Sequence, residues 1–140
     1  MAATSIDRDT KRSDGKLKAM KISNVLIPKG VLVCVNTTGY MTNGEDTLNY
    51  LFGGVSYERV DNSTGLAGDK EIRTEKTGEH TFSYNGGDAG QSVVGKEVYI
   101  VDNQTVDDDP LSTTNDIKCG IITEIVNTSL VRVRIDGYAR

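Results

Sequence analysis

Cysteine and histidine are scarce in this chain, two Cys and one His in 140 residues. Cys34 and Cys119 lie far apart in apolar, strand-like runs, and no Cys-x-x-Cys occurs. With His80 as the lone imidazole, neither a zinc site nor a disulfide framework is indicated. Both cysteines are expected to be buried free thiols packing as small hydrophobes. Aromatics are also few, two Phe and six Tyr, and hydrophobic residues make up 36% of the chain, so one small domain with a thin core is expected. No secretory apolar region follows Met1 and no apolar run approaches the length of a membrane span. The expectation is a soluble protein made in a cytosol, with no membrane partner.

Catalytic patterns are missing too. Asp107-Asp108-Asp109-Pro110, with Asp102 upstream, does not follow calcium-loop spacing and reads as a solvated turn. His80 has Glu79 beside it, but neighbours in a strand point to opposite faces, so the two make no acid/base pair. Asn85-Gly86-Gly87-Asp88-Ala89-Gly90 is glycine-rich but lacks the Gly-Lys-Ser/Thr ending of a phosphate loop, and reads as a loop between strands. No nucleophile elbow or triad order appears. The chain is therefore expected not to be an enzyme, with no catalytic residues, no metal and no cofactor. The sequons at Asn36, Asn62, Asn103 and Asn127 are read as turn composition.

What is present begins with charge. The net charge of −4 conceals two unlike parts: residues 1–22 hold six Lys/Arg against three Asp, a net +3, and the remainder holds ten Lys/Arg against seventeen Asp/Glu, a net −7. Residues 1–22 read as an extended basic arm, without apolar periodicity before Leu17, Met20 and Ile22. Such a segment cannot bury enough surface to offset its ordering entropy, and is expected to order only against a partner or a neighbouring copy. Residues 23–140 read as the folded domain. Its acidic balance supplies no concentrated basic face for phosphates, so no direct nucleic-acid partner is expected.

Along the body, short apolar runs alternate with turn clusters. Val31–Val35 and Glu97–Val101 are buried runs, Leu48 to Val60 contains a strand bent at Gly53-Gly54, and Glu71 to Tyr84 is a polar alternating ribbon. Fifteen glycines and no convincing amphipathic helix predict an all-β fold, a single small β-barrel or jelly-roll-like sandwich with an extended N-terminal arm. At the C-terminus, Ile121, Thr123 and Ile125, then Val131, Val133 and Ile135, alternate with polar residues, the period-two signature of a hairpin. A loop at Asn127-Thr128-Ser129 sets Val126 against Leu130, Ile125 against Val131, Glu124 against Arg132, Thr123 against Val133 and Ile121 against Ile135.

Several of these patterns also resemble a known family. They are Arg8-Asp9-Thr-Lys-Arg12-x-Asp14-Gly15-Lys16, Pro28-x-Gly30-Val31-x-Val33 with Asn36-x-x-Gly39-Tyr40, and Gly54-Val55 with Val60-Asp61-Asn62 before Gly68-Asp69-Lys70. To them is added Gly95-Lys96-x-Val98-Tyr99-Ile-Val101-Asp102-x-Gln104-Thr105-Val106, followed by Gly120 and the closing hairpin. Together they are similar to the small proteins that decorate tailed-bacteriophage heads. The acidic run Asp107 to Asp109 and the long central ribbon depart from that pattern. The resemblance implies a virion protein on the capsid exterior, a homodimer or homotrimer, that cements neighbouring copies of the major capsid protein. On that reading Arg8, Lys11, Arg12 and Lys16 are the partner-binding residues. The alternative is a small β-barrel that binds nucleic acid, with Tyr40, Tyr50, Tyr57, Tyr84 and Tyr99 as stacking platforms.

Overall fold

A computed structural model describes residues 5–8 and 12–140. The chain is all-β, as its glycine-rich, strand-length runs predict. Twelve strands among the described residues, β1 to β12, run Leu17–Lys21, Leu26–Ile27, Leu32–Val35, Met41–Asn43, Leu51–Ser56, Val60–Asp61, Glu71–Glu75, Glu79–Tyr84, Glu97–Ile100, Thr105–Asp107, Lys118–Asn127 and Leu130–Arg134. Among the described residues the only helical pieces are two 3₁₀ turns, Gln91–Val93 and Pro110–Ser112. None is long or apolar enough to cross a membrane.

Two modules share the chain. The N-terminal half forms a five-stranded sheet of order β1-β7-β5-β3-β4, and the C-terminal half closes into a five-stranded barrel of order β10-β8-β12-β11-β9. The short pair β2-β6 forms a third sheet. Residues 71–84 do not fold back as one ribbon: β7 joins the first sheet and β8 the barrel, so the turn between them is where the chain crosses over. Leu17–Lys21, counted with the arm on charge, pairs residue for residue with Glu75–Glu71, and Ile22 is fully buried. Period-two placement of Met20 and Ile22 on the side of Ile72 accounts for this.

The two modules have separate cores with one strand between them. Val33 packs with Ile22, Ile27, Met41 and Ile72, whereas its neighbours Leu32 and Cys34 pack with Phe52, Val55 and the barrel interior, including Val98, Ile100, Val106, Ile122, Val131 and Val133. A strand covered on both faces must be apolar at every position, which is why 31–35 reads as a continuous run rather than an alternating one. Cross-module hydrogen bonds reinforce the seam: Leu32 N–H donates to the Asn103 carbonyl (2.8 Å), Asn103 Nδ2 to Asn43 Oδ1 (3.1 Å) and Arg140 N–H to the Phe52 carbonyl (2.9 Å).

The C-terminal hairpin keeps part of its expected register. Ile125 faces Val131 and Glu124 faces Arg132, whose Nη1 donates to Glu124 Oε2 at 2.6 Å. Beyond them an irregularity at Thr123 resets the pairing, so Ile122 faces Val133 and Ile121 faces Arg134 in place of the expected Thr123–Val133 and Ile121–Ile135 pairs. The turn also differs: Asn127 pairs with Leu130 across Thr128-Ser129, and Val126 is absorbed as a second irregularity. A bulge adds one residue to one strand and so inverts its side-chain parity. That brings Ile122, fully buried, onto the core side already occupied by Ile125.

Candidate interaction surface

The outer edge of β1 is a row of backbone groups to which no strand is added among the described residues. Lys76 N–H donates to the Lys16 carbonyl and Ile22 N–H to the Lys70 carbonyl, so the even-numbered residues of this antiparallel pair direct their peptide groups toward β7. Leu17 and Ala19 therefore point theirs outward, while the outward side of Lys21 meets Met41 through the parallel bridge at Ile22. The opposite end of the sheet is protected. Ile22 forms a parallel bridge to Met41, Ser23 N–H and Oγ both donate to the Met41 carbonyl (2.9 and 3.1 Å), and Asn43 Nδ2 donates to the Leu26 carbonyl (2.9 Å).

This edge is basic and accessible. Lys18 and Lys21 are exposed on β1, and upstream Arg8, Arg12 and Lys16 are exposed and form no ion pair among the described residues. Lys11 lies outside the described residues. Gly15, with φ of 76°, adopts a conformation that strands do not use, and separates arm from strand. Behind the edge, Lys76 donates from Nζ to the carbonyls of Gly53 and Arg140, the latter at 2.8 Å. Burial, with Lys18 nearby, lowers its pKa to about 8.

The acidic run is built into the barrel rather than left as a solvated turn. Asp107 is 1% exposed and accepts from Asn85 Nδ2 (2.9 Å) and Asp109 N–H (2.9 Å). Asp108 accepts from the Tyr84 hydroxyl (2.5 Å) and from Lys96 (3.3 Å), and Asp109 caps the 3₁₀ turn through Leu111 N–H. Burial, and then the bond to Asp108, push the Tyr84 phenol up. Burial works to raise the Asp108 carboxyl as well, but the Tyr84 and Lys96 bonds outweigh it and hold it below the usual carboxylate range. These residues line a cleft of about 640 Å³ with Gly86, Asp88 and Pro110. The carboxylates of Asp107, Asp108 and Asp109 are engaged, and among the described residues no group of three His, Cys, Asp or Glu could hold a metal ion.

Other residues singled out by sequence lie apart from one another. His80 is on β8, Nε2 3.6 Å from Glu75 and 3.3 Å from the Thr77 carbonyl, and it lines neither of the two clefts. Cys34 and Cys119 are both free and fully buried. Of the five tyrosines weighed as stacking platforms, Tyr84 is buried and Tyr57, 43% exposed, lies under the Arg73 guanidinium at 5.0 Å, with Arg73 held by Glu58. Three of the sequon asparagines build loops. Asn36 Oδ1 accepts from Thr38 and Tyr40 N–H, Asn127 Oδ1 from Ser129 N–H, and Asn62, buried, ties Ser23 to Leu66 through Nδ2.

A second cleft of about 300 Å³ lies between the modules, bordered by Tyr50, Phe52, Asn115, Tyr138 and Arg140. Beside it Asp46 fastens the 110–117 segment to the sheet, accepting from Thr114 N–H (2.7 Å), Asn115 N–H (2.9 Å) and Asn115 Nδ2 (3.0 Å). Sequence reasoning missed this clasp because the partners are nearly 70 positions apart. Comparison of the chain with protein-family models, with curated proteins and with solved structures returns no match.

Proposed function

We propose that this protein is a structural component of a virion, a cement protein that binds the outside of a tailed-phage capsid and joins neighbouring major capsid subunits. The observation that carries the reading is a basic, exposed segment running directly into an unpaired strand edge on an acidic, tightly cross-tied β-body. Such an edge can add backbone hydrogen bonds to another chain, and such an arm can meet acidic surfaces beyond the reach of the body. The motif resemblance supplies the identity of the partner.

Mechanically, the role follows from linkage. Packaged DNA presses outward on a shell whose subunits meet in thin seams. A protein that binds across a seam, and binds separated subunits less well, stabilises the closed shell. Each copy adds little, and many linked copies sum to a large resistance. Arg8, Lys11, Arg12 and Lys16 are the residues assigned to the shell contact, and the two-module body is the rigid bulk that spans it.

The test is the thermal and osmotic-shock survival of DNA-filled particles lacking the protein, to which either the full chain or a chain starting at Leu17 is added back. Restoration by the full chain alone supports both the cement role and the arm's part in it. If neither chain binds shells, and single-stranded DNA shows a salt-sensitive mobility shift with the full chain, the capsid reading falls and the nucleic-acid reading replaces it.

A further inference from the structure

We infer that Asn85 is a self-modifying site, at which the peptide nitrogen of Gly86 displaces ammonia from the side-chain amide and water opens the resulting ring, leaving a carboxylate opposite Asp107. The inference concerns the chain itself and stands whether or not the shell reading does. Of the nine asparagines only Asn43 and Asn85 precede a glycine, the neighbour that leaves the next peptide nitrogen uncovered by any Cβ and free to rotate toward the amide carbon. On sequence the two steps are alike; the fold separates them.

Asn43 is held at each group the reaction needs. Its Nδ2 donates to the Leu26 carbonyl (2.9 Å), its Oδ1 accepts from Asn103 Nδ2 (3.1 Å), and buried Gly44 donates its N–H to the Leu32 carbonyl (2.7 Å). Asn85, just past β8, is exposed, as are Gly86, Gly87 and Asp88 after it. Only the Nδ2 of its side chain is engaged, by Asp107 Oδ2 at 2.9 Å; neither Asn85 Oδ1 nor the Gly86 N–H has a hydrogen-bond partner among the described residues. Ring closure at Asn85 therefore breaks no bond to the attacking nitrogen. Glycine is also required at position 86, because a Cβ there would collide with the Tyr84 hydroxyl, which is bound to Asp108. The packing that seats the acidic run thus fixes the reactive neighbour of Asn85.

The atoms balance without an oxidant or reductant. Gly86 N loses its proton and bonds to Asn85 Cγ; the bond from Cγ to Nδ2 breaks, and Nδ2 keeps the electron pair, takes a proton and leaves as ammonia. Water then adds to one carbonyl of the five-membered ring. Opening at Cγ gives aspartate, and opening at the main-chain carbonyl gives isoaspartate, with the chain now running through the side-chain carbons. In either product an anion replaces the donor that met Asp107, itself 1% exposed and left with the Asp109 N–H bond. Two like charges then face one another at the wall of the acidic cleft. Isoaspartate also lengthens the main chain directly after the Asn85 N–H bond to the Val106 carbonyl (2.9 Å), where β8 meets β10.

Peptide mapping by mass spectrometry of the full chain, held in warm, mildly alkaline buffer with and without guanidinium chloride, is the test. Cleavage after Lys76 and Lys96 isolates a segment whose one asparagine is Asn85. In the folded protein Asn85 is expected to become a mixture of isoaspartate and aspartate, while Asn43 reacts slower by on the order of tenfold or more because its bonds must first open. In denaturant both should convert alike. The aged protein and Asn85→Asp, which carries the aspartyl product from the start, should each show a lower urea midpoint than fresh protein. An Asn85 that persists in the folded chain while denaturant converts it, aspartate without isoaspartate, or equal rates at Asn43 and Asn85 in the folded chain would overturn the inference. An unshifted midpoint for Asn85→Asp would overturn the consequence for Asp107.

Discussion

Gly54 occupies a place in β5 where no side chain fits: its φ is 120°, and a Cβ there would collide with the Glu75 carbonyl oxygen. Gly54→Ala is expected to destabilise the protein by about 2 kcal/mol or more, from backbone strain and overpacking together, read as a lowered urea midpoint. Cys34 and Cys119 present the opposite case, side chains that fit too well to react. Burial pushes the Cys34 thiol up to about 11, and burial with Cys34 nearby raises Cys119 as well. A thiol reagent at neutral pH should label neither cysteine in the folded protein and both in denaturant; labelling at the native rate of an exposed thiol would contradict the packing. The sign for Lys76 follows from its lowered pKa. The folded state favours the neutral amine, so the charge opposes folding below about 8, and stability is gained as pH rises from there toward 10.5. Lys76→Met should abolish that gain, measured as the difference between variant and native urea midpoints across the same window.

At the scale of elements, short-range pattern was a good guide to where strands lie and a poor one to how they pair. The C-terminal hairpin, its buried faces and the Glu124–Arg132 pair were legible because period-two alternation and a turn sequence are local. The bulge at Thr123 was not, because its cause is the need to set Ile122 against Val133 inside a closed barrel. Likewise the polarity of Glu71 to Tyr84 was plain, but nothing local says that its two halves belong to different modules. Asp46 shows how such distant segments are fixed. Partial burial works to raise its carboxyl, but the bonds from Thr114 and Asn115 outweigh it and hold the pKa below 3.8. Its stabilising effect is thus present above the unfolded value and lost as pH falls through the folded one. Asp46→Ala should cost about 1 to 2 kcal/mol and speed hydrogen exchange in residues 110–117 before the rest of the barrel; unchanged exchange there would show that the clasp does not hold the segment.

Across the whole molecule, β3 makes two modules behave as one. Leu32 and Cys34 belong to the barrel-side core and Val33 to the other, so neither core survives loss of that strand. Leu32→Ala is expected to cost about 2 to 5 kcal/mol while unfolding stays a single transition by both tyrosine fluorescence and far-ultraviolet dichroism. Two separated transitions would mean that the modules fold independently. The sequence by itself determined the all-β class, the two buried thiols, the continuous apolar run at 31–35 and the opposition of a basic N-terminal segment to an acidic body. These follow from composition and from the alternation of side chains along a strand, which are properties of neighbours. Only the tertiary structure decided that β1 lies at a free edge, that the acidic run at 107–109 is tied inward, and that Asp46 clasps a segment nearly 70 residues away. Each of those depends on which distant backbone supplies a partner, and that choice is made by closure of the sheets and not by any local pattern.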